Sequence, residues 1–428
     1  MDTIFALATA HGRAGVAVIR VSGPAAFAAA EHLAGPLPAP RVASHRRLRN
    51  EEGQTLDEGL VLCFPEGQSF TGESTVELQI HGSIAAVSAV QAALSRQPGL
   101  RLAEPGEFTR RALANNRMDL TQVEALGDLI DAETEVQRKL AQDVLAGGLR
   151  RQALSWRDRL IEALGLIEAT IEFSEEDIPQ DLRDRLLDRL TGIAGDMRQE
   201  ADTSIARERV RQGFEVAILG RPNAGKSTLL NRLAGREAAI TSQIAGTTRD
   251  VIEVRMDLDG MAVTLLDTAG LRETEDTVER LGIAAARSRA ERADLRIFLK
   301  DSLQDTVEDT LFRDGDIIAV GKSDLTGDAG AISGLTGQGI PELLDELAKV
   351  LRARVPATAG ASHGRQRIAL TSGVAHLDRA ISMLSCAGED EIVSDEIRLA
   401  ARALDLLMGK VDVEDVLDSI FSSFCIGK

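Results

Sequence analysis

The stretch "GRPNAGKST", residues 220–228, decides how this chain is to be read. An apolar run, "FEVAILG" (214–220), leads into it and helical spacing follows, which is the strand–loop–helix setting of a phosphate cradle. Gly220 and Gly225 let the backbone curl until several amides face one anion, and the helix N-terminus adds its positive end. The loop residues are Asn223, Ala224, Gly225, Lys226, Ser227 and Thr228. Lys226 is placed to reach the β and γ phosphates of a nucleotide and Ser227 to ligate Mg²⁺. Only seven of the 49 basic residues are lysine, so a lysine inside a motif is informative.

Further elements follow at fitting distances. "DTAG" (267–270) ends an apolar run, setting Asp267 beside the metal's water shell, with Thr268, Ala269 and Gly270 at the γ-phosphate. "AGTTRD" (245–250) offers Thr248 as a loop ligand to Mg²⁺. The set resembles GTPases of the Ras-like superclass, whose base specificity comes from an Asn-Lys-x-Asp motif. Here the sequence has "GKSD" (321–324): Lys322 can lie along the base and Asp324 can accept from guanine N1 and N2, but Gly321 has no side-chain amide. "SGLTG" (333–337) supplies Ser333 and a backbone N–H near Gly334 for O6. Leu271 stands where small signalling GTPases carry the glutamine that orients water, so another group must serve, and the acidic "RETEDTVER" (272–280) lies beside it.

Outside this core the texture changes twice. "GVAVIRVSG" (15–23), "LDEGLVLCF" (56–64) and "STVELQIHG" (74–82) read as strands and "SIAAVSAVQAALS" (83–95) as a helix, an α+β domain over 1–116. Apolar residues at helical spacing then run through 117–212. Residues 213–355 alternate strands ("MAVTLLD", 261–267; "DLRIFLK", 294–300; "DIIAVGK", 316–322) with helices, the signature of a parallel doubly wound sheet. After "VPATAGASHG" (355–364) helices resume over 356–428. The expected architecture is a multi-domain α/β and α protein: an N-terminal α+β domain and a helical domain split in sequence by an inserted Ras-like P-loop α/β domain.

"DTIFALATAHGRAGVAVIRVSG", "SFTGESTVELQIHG", "EPGEFTRRALANNRMDLTQVEALGDLIDA", the P-loop domain and the terminal "FCIGK" occur in this order. That order resembles the tRNA uridine-modification GTPase family (MnmE, also called TrmE) over essentially the whole chain. The resemblance implies an N-terminal folate-binding module that also makes a constitutive homodimer. It places 5-formyl- or methylene-tetrahydrofolate on Arg20, Glu77, Arg117 and Lys428, with Arg117 standing where the family commonly has lysine. It implies a K⁺ held by Asn223, Ser242, Ile244 and Thr247, within a GTP-facing loop that also contains Gln243, Ala245 and Gly246. Glu279 matches the family's water-orienting acid. The implied reaction adds an aminomethyl or carboxymethylaminomethyl group to C5 of a tRNA wobble uridine, with an FAD-dependent partner (MnmG, or GidA) performing the redox step. A ribosome-assembly GTPase that binds rRNA, and a folate-binding scaffold that has lost its nucleotide, are the competing readings.

Bulk properties narrow the field. With 428 residues there is room for about two to four domains. No apolar run approaches the ~18 residues that span a bilayer, and three cysteines without metal-like pairing suit a reducing compartment, so a cytoplasmic protein is expected. A net charge of −18 argues against indiscriminate adhesion to nucleic acid. Cys425 sits four residues from the end, yet Gly427 and Lys428 follow and "EDVLDSIFSSF" precedes, which does not suit prenylation. A packed structural cysteine and, from the resemblance, a thiol beside the folate pocket both stay open.

Overall fold

Over residues 17–21 and 76–80 buried residues alternate with half-buried ones, the pattern of a sheet with one face turned to a core. The computed structural model describes residues 2–172, 180–221, 223–235, 253–267, 287–302, 304–305, 310–328, 330–386, 389–410, 417, 420–422, 424 and 427. The chain falls into two units, residues 1–127 with 404–428, and residues 128–403.

In the first unit β1 (Thr3–Leu7), β2 (Ala14–Ser22), β3 (Ser44–Arg49), β4 (Thr55–Phe64), β5 (Thr75–Gly82) and β6 (Leu100–Leu102) form one sheet in the order β3-β4-β5-β2-β1-β6. All neighbours are antiparallel except β1 and β6. Ile19, Val21, Val76, Leu78 and Ile80 face a core completed by Ala29 and Leu33 of α1 (Ala26–Ala34) and Val90 and Leu94 of α2 (Ile84–Ser95). The Ser83 hydroxyl caps α2 by accepting from the Ala86 N–H at 3.0 Å. On the other face, Phe108 of α3 (Glu107–Ala114) packs with Ile4, Ala6 and Ala103. The strands and helix expected from sequence are all present; β1, β3, β6, α1 and α3 are additions to them.

The helix α4 (Leu120–Asp131) is followed in the second unit by α5 (Glu135–Leu145), α6 (Gly148–Glu172) and α7 (Gln180–Gln212). The inserted part then contributes β7 (Phe214–Gly220), α8 (Lys226–Ala234), β8 (Glu253–Leu258), β9 (Met261–Asp267), β10 (Leu295–Lys300), β11 (Ile317–Val320), the single turn α9 (Ser323–Thr326) and α10 (Ile340–Arg352). α11 (Gly364–Ser385) and α12 (Asp390–Met408) resume the helical part, and α11 packs along α7, so the two halves of the split helical region meet. The sheet order is β11-β10-β7-β9-β8. Val216 and Ile218 of β7, Val263 and Leu265 of β9, and Ile297 and Leu299 of β10 share a core with Leu229, Leu230 and Leu233 of α8 and Leu343, Leu347 and Leu351 of α10. Central parallel strands covered by helices read as near-continuous apolar runs, which is why they were legible.

The sheet corrects one expectation: it is not wholly parallel. β8 pairs antiparallel with β9 through the two-residue turn Asp259–Gly260, both at positive φ (53° and 81°). An Asp-Gly pair between alternating segments is the usual signal of such a tight hairpin.

The return from the inserted part is fixed by a buried ion pair on α7. Arg207 Nη1 donates to Glu200 Oε1 at 2.6 Å, with both side chains under a tenth exposed. Arg207 Nε donates to the Thr358 carbonyl at 2.8 Å, and Glu200 Oε1 accepts from the Ala361 N–H at 2.7 Å. Removing one partner of such a pair leaves the other charged and dry. Glu200→Ala is therefore expected to cost about 3–5 kcal/mol of stability. Trp156, the one tryptophan, lines the same groove as Glu200 and Thr358, so its fluorescence in a denaturant titration checks this.

Candidate functional site

At the end of β7 the chain reverses sharply. An added Cβ on Gly220 (φ 152°) would fall 2.3 Å from the Leu299 carbonyl of the neighbouring strand, so only glycine fits there. Lys226, the first residue of α8, is buried, and its ammonium donates to the carbonyls of Gly220 (2.8 Å) and Arg221 (3.0 Å), holding the loop curled. Gly225, at φ 98°, turns the chain into the helix, and Ala224 is buried beneath the loop. Ser227 Oγ donates to Asp267 Oδ2 at 2.7 Å across from the end of β9. A hydroxyl and a carboxylate side by side are the hard oxygen donors Mg²⁺ prefers, so these residues fit that ion. Thr228 is exposed on the same helix, and Asn223 is exposed in a left-handed conformation at φ 64°.

The base-specificity loops reach the same place. Gly321 would put a Cβ 3.0 Å from the Ala224 carbonyl, and Gly334 would put one 2.8 Å from the Leu229 nitrogen in the first turn of α8. Lys322 adopts φ 63° and its ammonium donates to Asp301 Oδ1 at 2.7 Å. Ser333 Oγ donates to Asp324 Oδ1 at 2.5 Å and accepts from the N–H groups of Leu335 (3.2 Å) and Thr336 (3.1 Å). The structure thus brings together every described residue of the expected phosphate and base motifs. Asp301, which holds Lys322, was not singled out in the sequence; its only signal is its place directly after a strand. Ser242, Gln243, Ile244, Ala245, Gly246, Thr247, Thr248, Thr268, Ala269, Gly270 and Glu279 lie outside the described residues.

In the first unit Arg20 and Glu77 are cross-strand partners on β2 and β5. Arg20 donates from Nε (3.1 Å) and Nη2 (2.9 Å) to Glu77 Oε1, and its guanidinium lies over the rings of Phe70 (5.5 Å) and Phe108 (5.7 Å). The stem of Arg117 lies against Gly72, two residues beyond Phe70. The Arg20–Glu77 pair beside the half-buried ring of Phe70 suits the polar and flat parts of a folate, while Phe108, fully buried, backs Arg20 without being open to a ligand. The two phenylalanines were missed from sequence, since nothing in one-dimensional spacing marks a ring that lies under an arginine. α3, which carries Phe108, is tied down by ions: Glu107 accepts from Arg101 and Arg111, and Arg111 also bridges Glu73 and Asp2. Burial pushes the Glu107 carboxyl up, but the bonds from Arg101, the Glu104 N–H and Arg111 outweigh it and leave it below its ordinary value. Of the terminal motif only Phe424 and Gly427 are described: the Phe424 ring packs against Phe421, and at Gly427 φ is 103° and an added Cβ would lie 2.1 Å from the Leu7 carbonyl, at the end of β1. Cys425 and Lys428 lie outside the described residues.

A P-loop on a five-stranded sheet, with base loops packed against it and a split helical region around it, defines a P-loop nucleotide-binding protein of several parts. Residues 120–425 match the family model "MnmE helical domain", and residues 3–117 match "GTP-binding protein TrmE N-terminus". The chain belongs to the MnmE (TrmE) family. It is similar to the tRNA modification GTPase MnmE of Roseobacter denitrificans, 53% identical over 430 residues, and to that of Ruegeria pomeroyi, 54% identical over 431 residues, each alignment covering 100% of both chains. Among solved structures, a variant of Aquifex aeolicus Era bound to GDP.AlF4- aligns at 25% identity and a TM-score of 0.27, covering 38% of this chain and 66% of that one.

Ser227→Ala removes one of the two oxygens set side by side. It is expected to lower GTP hydrolysis by about 10²-fold or more. Phosphate release at saturating GTP measures this, and an unchanged thermal midpoint shows that the fold is intact.

Proposed function

We propose that this chain is a GTPase whose hydrolysis cycle serves the modification of C5 of the wobble uridine in certain tRNAs. The observation that carries the reading is the meeting of Ser227 with Asp267 and of Asp324 with Ser333 around one loop, in a chain similar end to end to tRNA modification GTPases. In this reading Lys226 neutralises charge on the β and γ phosphates, while Ser227 and Thr248 hold Mg²⁺. Asp324 accepts from the base, with Ser333 orienting its carboxylate. Glu279 orients the attacking water, the part Leu271 cannot play. Asn223 with Ser242, Ile244 and Thr247 holds K⁺, which supplies positive charge near the scissile bond.

In the N-terminal unit Arg20, Glu77, Arg117 and Lys428 hold 5-formyl- or methylene-tetrahydrofolate, which supplies the carbon unit. Cys425 contributes a thiol to the modification chemistry. The chain works as a homodimer in the cytoplasm, with an FAD-dependent partner protein performing the redox step. The charge of −18 supports a division of labour in which that partner makes most contacts with tRNA phosphates. Among the described residues no helix is long and apolar enough to cross a membrane.

Two experiments test this. A deletion strain is expected to lack C5-modified wobble uridine; the wild-type chain restores the nucleoside and neither Lys226→Ala nor Arg20→Gln does, as read by mass spectrometry of digested tRNA. If the modification persists in the deletion strain with no second enzyme present, the reading fails. GTP hydrolysis in KCl is expected to exceed that in equimolar NaCl by about tenfold or more, and equal rates would remove K⁺ from the scheme.

A further inference from the structure

Guanine offers donors at N1 and N2 and acceptors at O6 and N7. Resting on the GTPase reading above, we infer that this chain reads the base through Asp324 and the 333–334 turn and gives N7 no side-chain donor, because position 321 carries no side chain and is packed so tightly that one could stand there only if a neighbour gave way by a few tenths of an ångström. An ideal Cβ on Gly321 would lie 3.0 Å from the Ala224 carbonyl and 3.3 Å from Leu299 Cδ1. The Gly321 N–H is itself committed to the Lys300 carbonyl at 2.8 Å. The P-loop crest therefore rests directly on the backbone that starts the base loop.

The neighbouring side chains do not make up the loss. Lys322 places its ammonium on Asp301. The Ser323 hydroxyl lacks a hydrogen-bond partner, but it is sealed from solvent and so out of a ligand's reach. Asp324 as a carboxylate only accepts. Ser333 is fully buried and donates its one hydroxyl proton to Asp324. Gly334 and Leu335 carry no polar side-chain atom, while the Gly334 N–H makes no hydrogen bond among the described residues and is the donor suited to O6. Specificity then rests on the two donors of the base meeting Asp324, and N7 is left to water.

Competition binding with 7-deaza-GTP, which has C–H in place of N7, tests this directly. The wild-type chain is expected to bind 7-deaza-GTP within about threefold of GTP, whereas inosine triphosphate, which lacks the N2 amine, binds about tenfold or more weaker. A loss greater than about threefold for 7-deaza-GTP overturns the inference and leaves the GTPase reading standing. Failure to bind GTP itself overturns both. Gly321→Asn needs the Ala224 carbonyl, which is backbone, and Leu299 to give way by a few tenths of an ångström, so it is expected to weaken GTP binding without creating a preference for GTP over the 7-deaza analogue. Tighter GTP binding together with such a preference would show that a side chain can stand at 321, and would also overturn the inference.

Discussion

Backbone lying directly on backbone is the constraint that organises the nucleotide site. Gly220 sits on Leu299, Gly321 on Ala224 and Gly334 on the first turn of α8 at Thr228 and Leu229. These three contacts lock the phosphate loop, the neighbouring strand and both base loops into one block whose spacing is set by van der Waals radii rather than by adaptable side chains. The core beneath the sheet gives that block its floor, with Val216, Ile218, Ile297 and Leu299 packed under the loop. Polar contacts such as Ser227 with Asp267 and Ser333 with Asp324 then aim individual atoms inside a frame already fixed.

The N-terminal unit solves a different problem by electrostatics. Its sheet buries one face under α1 and α2 and places Arg20 and Glu77 on the other. Arg20 lies over two rings and bonds a carboxylate, so it is oriented from both sides. The chain of Asp2, Arg101, Glu107, Arg111 and Glu73 pins α3, and with it Phe108. Five charges of alternating sign thus fix the wall of a polar site in a protein that is strongly acidic overall.

Much of this was legible in one dimension because the signals are local. The phosphate loop joins a strand to a helix within nine residues, and the parallel strands are short apolar runs. β8 escaped because its hairpin signal, Asp259-Gly260, lies inside a segment read as βαβ alternation. Asp301, Phe70 and Phe108 escaped because their roles depend on what faces them across the fold, not on their chain neighbours. The Glu200–Arg207 strap escaped for the same reason, since its targets lie more than 150 positions further along. Gly321 showed itself as a departure from a motif, but its close approach to the carbonyl of Ala224 appears only in three dimensions.

That strap has an architectural corollary. The polypeptide leaves α7 just after Gln212 and is caught again by Arg207 and Arg211 of the same helix at Thr358 and Ser362. Exit and re-entry are therefore neighbours on one rod, the arrangement under which a helical scaffold accepts a self-contained cassette without being pulled apart. The graft is not wholly free, since Val136 and Leu140 of α5 pack on the insert's core and the Val136 N–H donates to the Gly260 carbonyl, so a foreign module with adjacent termini would have to cover that apolar face as well.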